Sequence, residues 1–170
     1  MSDRKRLYRS LLLVVLIGGM MLFAEKSATN ENIIIPLELA TSLQMVMEML
    51  SPFSRIQLDW LKTNTQLDFI FLIMYTSVYY YTTKSLLTRL NKESIIKIIL
   101  PFTLVAGVLD AIENLFILQF LNLDFSTPYF SVYYWCVHIK FVFVALFTLI
   151  ALIELGCIIR ESIVKKKELA

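Results

Sequence analysis

The sequence predicts an all-α integral membrane protein, a four-transmembrane-helix bundle with an extracytoplasmic amphipathic helical loop between its first and second helices. The first observation is composition: 58% of the 170 residues are hydrophobic and 18% are charged, and the mean hydropathy is +0.69. Soluble domains are considerably less apolar. The second observation is that the apolar residues form four long runs, and the third is that Lys and Arg collect at alternate ends of these runs. We expect residues 1–170 to form a single membrane domain.

Residue counts and spacings exclude several classes of protein. Gly and Pro number four each, which is too few for repeats or low-complexity linkers. Cys136 and Cys157 would lie about 30 Å apart along one helix, too far for a disulfide, and no cysteine spacing is typical of zinc. The basic residues are scattered at the ends of apolar runs and predict no nucleic-acid groove. We therefore expect no cofactor, no resident metal and no nucleic-acid partner.

The first predicted span is residues 7–24, which follow a short basic segment. A secretory signal peptide has the same order of basic and apolar residues. Cleavage after Ala24 would place the bulky side chain of Leu22 at the minus-three position, where small residues are preferred. We therefore expect an uncleaved membrane helix, and cleavage would leave the orientation of the later spans unchanged.

Residues 25–65 are predicted to form the large loop between the first two spans. Proline is suited to the first turn of a helix, so we expect a helix from Pro36 to Leu50, which Pro52 would end. A second short helix is expected from Ser54 to Lys62. Both helices are apolar enough to lie on the membrane surface or over the mouth of the bundle.

The remaining spans are predicted at residues 66–83, 98–121 and 132–159, and the distribution of basic residues predicts their orientation. Four Lys or Arg lie near the N-terminus, four in the 84–97 loop and four after the last span, against three in the large loop. Because basic residues favour the cytoplasmic side, we expect both termini to be cytoplasmic. The size and arrangement are typical of proteins of the bacterial inner (plasma) membrane.

Polar residues that are costly in hydrocarbon occur inside the last three predicted spans. A carboxylate at the centre of a bilayer costs about 3 kcal/mol or more, yet the third span carries two carboxylates and an amide at spacings of three and four. Such spacings place them on one side of a helix. With a rise of about 1.5 Å per residue, six polar residues of three helices fall at one depth in the outer half. They are Asp68, Asp110, Glu113, Asn114, His138 and Lys140. Gly107 and Ala111 lie beside them and favour close approach of a neighbouring helix.

This cluster of six residues has two interpretations, a structural lock or a binding site. As a lock, Lys140 neutralises Asp110 or Glu113, and Asn114 bonds to a neighbouring helix and fixes the register. As a site, the cluster lines a polar cavity that opens outward. Three acids against one fixed base leave excess negative charge, which favours the cavity.

Two further residues have positions that the helical repeat specifies. His138 lies about 200° around the helix from Lys140, so only one of them points into the cluster, and we expect it to be Lys140. The competing lysine also argues against a metal site there.

Glu154, near the inner end of the last span, is expected to pair with Arg160 or to face the lipid headgroups.

These features support three hypotheses about function. The first is a lipid-like or amphipathic ligand bound in the outer half of the bundle, with Asp110, Glu113 and Lys140 holding its headgroup beneath a lid formed by the loop helices. The second is a membrane-embedded enzyme that uses Glu113 or Asp110 as acid and base on a lipid substrate. The third is a non-catalytic subunit of a membrane protein assembly. The expected partners are thus membrane lipids, together with a lipid-like ligand or a partner membrane protein.

Overall fold

The computed structural model describes residues 33–126 and 128–168, and within these residues the chain forms five helices and no strand. The helices are α1 Ile34–Glu38, α2 Leu43–Leu50, α3 Arg55–Arg89, α4 Glu93–Leu121 and α5 Phe130–Glu168. The prediction of an all-helical chain is confirmed for this part. The predicted first span, residues 7–24, lies outside the described residues.

The prediction of a single helix from Pro36 to Leu50 is wrong, because two helices, α1 and α2, occupy this segment. Ser42 has an extended backbone, and its hydroxyl accepts a hydrogen bond of 3.2 Å from the backbone amide of Met45. A serine in this position satisfies one of the free amides at the start of a helix, so α2 begins anew after it. Pro36 lies in the first turn of α1, and α2 ends before Pro52, both as predicted.

The short helix predicted from Ser54 to Lys62 is not a separate helix, because it is the first part of α3, which continues for 35 residues. Ser54 and Gln57 form a capping box that begins α3. No Gly or Pro occurs between Arg55 and Arg89 to interrupt the helix. At 35 residues α3 is about 52 Å long, so it contains the predicted span 66–83 and extends beyond it at both ends.

Helices α4 and α5 are the two described helices that are long and apolar enough to cross a membrane. Their candidate spans are Ser94–Leu121 and Phe130–Glu161, and 22% and 17% of the most apolar stretches are buried inside the structure. The core helices of soluble proteins bury most of such a stretch, whereas large exposed apolar surfaces mark contact with lipid or with another protein. The two helices are candidate membrane spans by length and composition, and the count of four spans stays a prediction.

The three long helices pack side by side, with α4 antiparallel to α3 and α5. At one end, here called the cap end, α1 and α2 pack over the last turns of α4 and the first turns of α3 and α5. The hydroxyl of Tyr133 donates a hydrogen bond of 2.6 Å to the carbonyl of Leu37 and joins α5 to α1. The buried apolar residues of the cap end include Val46, Leu50, Leu61, Ile117, Phe120 and Val137.

Helices α3 and α4 approach closely at Gly107, the small residue that the sequence places beside the polar cluster. A Cβ atom added to Gly107 would lie 2.7 Å from Oγ1 of Thr76, which is closer than real Cβ contacts. Nearer the middle of the bundle the core is aromatic: the Tyr75 and Tyr79 rings of α3 pack edge to face, and Tyr79 stacks on Phe147 of α5. The close approach brings the acidic face of α4 against α3.

Candidate functional site

Lys140 lies at the centre of a buried ion-pair cluster below the cap end. Its ammonium is 2.6 Å from Oε2 of Glu113, 3.3 Å from Oδ1 of Asp110 and 3.4 Å from Oε2 of Glu38. Lys140 is 5% exposed and Glu113 is fully buried. Three carboxyl groups therefore face one ammonium group, and the inward orientation predicted for Lys140 agrees with the structure.

Glu38 belongs to this cluster, although sequence reasoning missed it. It is the last residue of α1 and the acid of an otherwise apolar helix, which is the one signal that could have drawn attention to it. The packing of α1 on the bundle carries its carboxyl group to Lys140. Burial raises the pKa of Glu38 above its ordinary value, because it outweighs the opposing effect of the ammonium group of Lys140.

Asp110 and Asp68 link helix α4 to helix α3. Oδ2 of Asp110 accepts a hydrogen bond of 2.6 Å from the hydroxyl of Tyr75, and Oδ2 of Asp68 accepts one of 2.6 Å from Nδ2 of Asn114. Tyr75 was also missed by sequence reasoning. Its signal is its spacing, because it follows Asp68 by seven residues and so lies on the same face of α3.

His138 is the one predicted cluster residue that the structure places elsewhere. Its Nδ1 is 2.8 Å from the carbonyl oxygen of Tyr134, and its ring packs on the Tyr134 ring at 4.0 Å between centroids. Within the described residues His138 pairs with none of the carboxylates. No group of three His, Cys, Asp or Glu side chains in this part of the chain could hold a metal ion.

Glu113 is buried with an incomplete set of partners. Neither of its oxygens accepts a well-directed hydrogen bond from the residues that the structure describes, so its contact with Lys140 is a charge pairing. Buried carboxylates are normally satisfied by several donors. Glu113 thus keeps unused hydrogen-bonding capacity inside the cluster.

A groove of about 430 Å³ runs from this cluster along α3 and α5. Its polar end is formed by Glu38, Asp68, Asp110 and Lys140. The rest of its wall is mainly apolar and aromatic, and includes Phe71, Val78, Phe141, Val144, Ala151 and Leu155. Between Lys140 and Leu155 the groove follows about 22 Å of α5.

A second ion-pair cluster lies at the opposite end of the bundle, around Glu154. This fully buried carboxylate accepts hydrogen bonds from Nη2 and Nε of Arg89 at 3.0 and 3.1 Å and from the hydroxyl of Ser85 at 2.6 Å. Arg89 also pairs with Glu161. The expectation that Glu154 pairs with Arg160 or faces the headgroups is wrong, because Glu154 points toward α3. The pairing joins the end of α3 to α5.

The geometry combines both interpretations of the polar cluster. The contacts of Lys140, Asp110 and Asn114 join α4 to α3 and α5, as a lock would, and the same residues adjoin the polar end of a groove. Small-molecule sites have this character, a largely apolar concavity with a few converging polar groups. Comparison of the chain with protein families, with curated proteins and with solved structures finds no match.

Proposed function

We propose that this protein is a four-helix protein of the bacterial inner membrane that binds a lipid-like, amphipathic ligand in the groove between α3 and α5. The observation that carries the proposal is the division of this groove into a charged end and an apolar remainder. An amphipathic molecule has the same division. The groove volume of about 430 Å³ also falls within the range of about 300 to 1,000 Å³ of small-molecule sites.

The membrane placement is supported by the surfaces of α4 and α5. Large apolar side chains such as Val108, Leu115, Val142 and Leu149 are more than half exposed, and lipid would cover them. Helix α3 supplies a further span in this arrangement, since its length exceeds the hydrocarbon thickness of about 30 Å. The sequence predicts the first span at residues 7–24 and predicts that both termini are cytoplasmic.

The length of the groove favours a ligand with one long alkyl chain. The groove follows about 22 Å of α5. This is longer than the hydrocarbon depth of one leaflet, which is half of the total hydrocarbon thickness of about 30 Å. In this proposal the cap helices α1 and α2 cover the charged end, as the predicted lid would, and Glu38 places part of the cap next to the ligand headgroup.

Filling the groove tests the proposal. Ala151 lines the groove, whereas Ala145 lies on the exposed face of the same helix. Ala151→Phe should remove a retained small molecule that native mass spectrometry detects in the wild-type protein extracted into nanodiscs. Ala145→Phe, the matched control, should retain it. The proposal is wrong if the wild-type protein carries and accepts no amphiphile, or if both variants retain the molecule equally.

An enzymatic function has one specific observation in its favour, the fully buried carboxyl group of Glu113 with its unused hydrogen-bonding capacity. A carboxyl group in such surroundings is a candidate acid or base. Glu113 does not itself line the groove, however, and a bound molecule meets Asp110 and Lys140 first. Ligand binding is therefore the function that the geometry supports better.

A further inference from the structure

We infer that the groove selects a cationic amphiphile, a single alkyl chain with an ammonium head group held by Asp68. This inference rests on the proposed function, because it specifies the ligand class of the same groove.

The donors of Lys140 are already engaged by the protein. An ammonium group has three N–H donors, and the three carboxyl groups of Glu113, Asp110 and Glu38 lie 2.6, 3.3 and 3.4 Å from Nζ. A phosphate or sulfate head group would have to displace one of these carboxylates. It would also enter among acids that repel it. An anionic ligand is therefore disfavoured.

Among the carboxylates that line the groove, Asp68 has hydrogen-bonding capacity left for a ligand. Its Oδ2 accepts a hydrogen bond from the neutral amide of Asn114. No Lys, Arg or His of the described residues forms an ion pair with it. Its side chain lines the polar end of the groove, so an ammonium head group there gains a charge-assisted hydrogen bond.

The balance of charge at the polar end also favours a cation. Three carboxyl groups, those of Glu38, Asp68 and Asp110, line this end, and Lys140 is the one basic residue among the described residues that line it. Unpaired charge of one sign is costly away from water, and an ammonium ligand reduces the excess.

Aromatic rings stand where such a head group would lie. Phe71 and Tyr75 follow Asp68 by one and two turns of α3 and also line the groove. Their ring centroids are 5.6 Å apart. Aromatic faces attract ammonium groups and add to the attraction of a carboxylate. Below them the wall becomes apolar and suits the alkyl chain.

The test compares three ligands with the same twelve-carbon chain, namely dodecylammonium, dodecyl phosphate and dodecanol. Each is titrated into the full-length protein in phosphatidylcholine nanodiscs, and bound ligand is counted by native mass spectrometry. We expect dodecylammonium to bind at least about tenfold more tightly than dodecyl phosphate, because a charged hydrogen bond replaces a repulsion. Asp68→Asn should weaken dodecylammonium binding about 10- to 100-fold and leave dodecanol binding unchanged.

Asp59→Asn is the matched control, because it removes the same charge from an exposed position of the same helix. It should leave all three affinities unchanged. Equal binding of the three ligands, or preference for dodecyl phosphate, would overturn the inference while the proposed function stands. If the wild-type protein binds none of them, the proposed function itself fails. The comparison of the three ligands uses the wild-type protein, so it does not depend on the folding of any variant. The variant Asp68→Glu keeps the charge and should keep the preference for dodecylammonium.

Discussion

Lys140 is the residue on which the polar cluster depends, since its ammonium group is shared by carboxyl groups of α1 and α4. Lys140→Met removes the charge and keeps most of the side-chain volume. Buried carboxylates then lose their counter-ion, which costs about 3 to 5 kcal/mol when one partner of a buried pair is removed. We expect unfolding by a denaturing detergent, followed by far-ultraviolet circular dichroism, to occur at clearly lower concentration in this variant.

Lys62→Met is the control for this prediction. Lys62 pairs with Asp59 at 2.9 Å, but the carboxylate is 67% exposed. Exposed pairs contribute about 1 kcal/mol or less, so this variant should unfold almost as the wild-type protein does. Equal stability of the two variants would show that the Lys140 cluster is not an ion-pair lock.

The sequence predicted part of this cluster, and the reason is physical. Isolated charges are so costly away from water that the carboxyl groups of Asp110 and Glu113 on α4 were expected to pair with Lys140 on α5. The positions of Glu38 and Tyr75 depend instead on how α1 lies on the bundle and how α3 is rotated. The Arg160 partner expected for Glu154 was wrong for the same reason, since the choice between residues on its own helix and on α3 depends on packing.

At the scale of helices, Gly107 sets the distance between α3 and α4. In Gly107→Ala the new Cβ would meet Thr76 Oγ1 at 2.7 Å, so the Thr76 side chain must rotate or the two helices must move apart. Overpacking of this kind costs about 1 to 3 kcal/mol. Thermal unfolding monitored by circular dichroism should show the loss, and the loss should shrink in a Thr76→Ala background, which removes the colliding atom.

Gly156→Ala is the corresponding control on α5. A Cβ added to Gly156 meets no atom within 4 Å, so the change should be neutral, or stabilising by up to about 1 kcal/mol through helix propensity. A destabilisation equal to that of Gly107→Ala would mean that the close approach of α3 and α4 is unimportant.

The helices themselves were predictable to different degrees. Long apolar runs identified α4 and α5, because length and hydropathy alone distinguish them. The break before α2 depends on one hydrogen bond from the Met45 amide to Ser42, which hydropathy does not register. For α3 the capping box at Ser54 marks the start of the helix. No residue after it stops the helix, so the predicted end at Lys62 was wrong.

At the scale of the whole molecule, the two loops between the long helices lie at opposite ends of the bundle. The loop between α4 and α5 lies at the cap end and contains Asp124, whereas the turn between α3 and α4 contains Lys92. Both side chains are exposed. In the proposed membrane placement the basic turn faces the cytoplasm, because Lys and Arg favour that side. The cap and the charged end of the groove then face outward.

Cysteine labelling tests this orientation. In a background in which Cys136 and Cys157 are replaced by Ala, Asp124→Cys should react in intact cells with a maleimide that does not cross membranes. Lys92→Cys should react only after the cells are permeabilised, since the bilayer separates it from the reagent. The reverse pattern would invert the orientation, and labelling of both variants in intact cells would mean that the long helices do not span the membrane. Because the charged end of the groove lies nearer Asp124, the labelling pattern also decides from which side an amphiphile reaches Asp68.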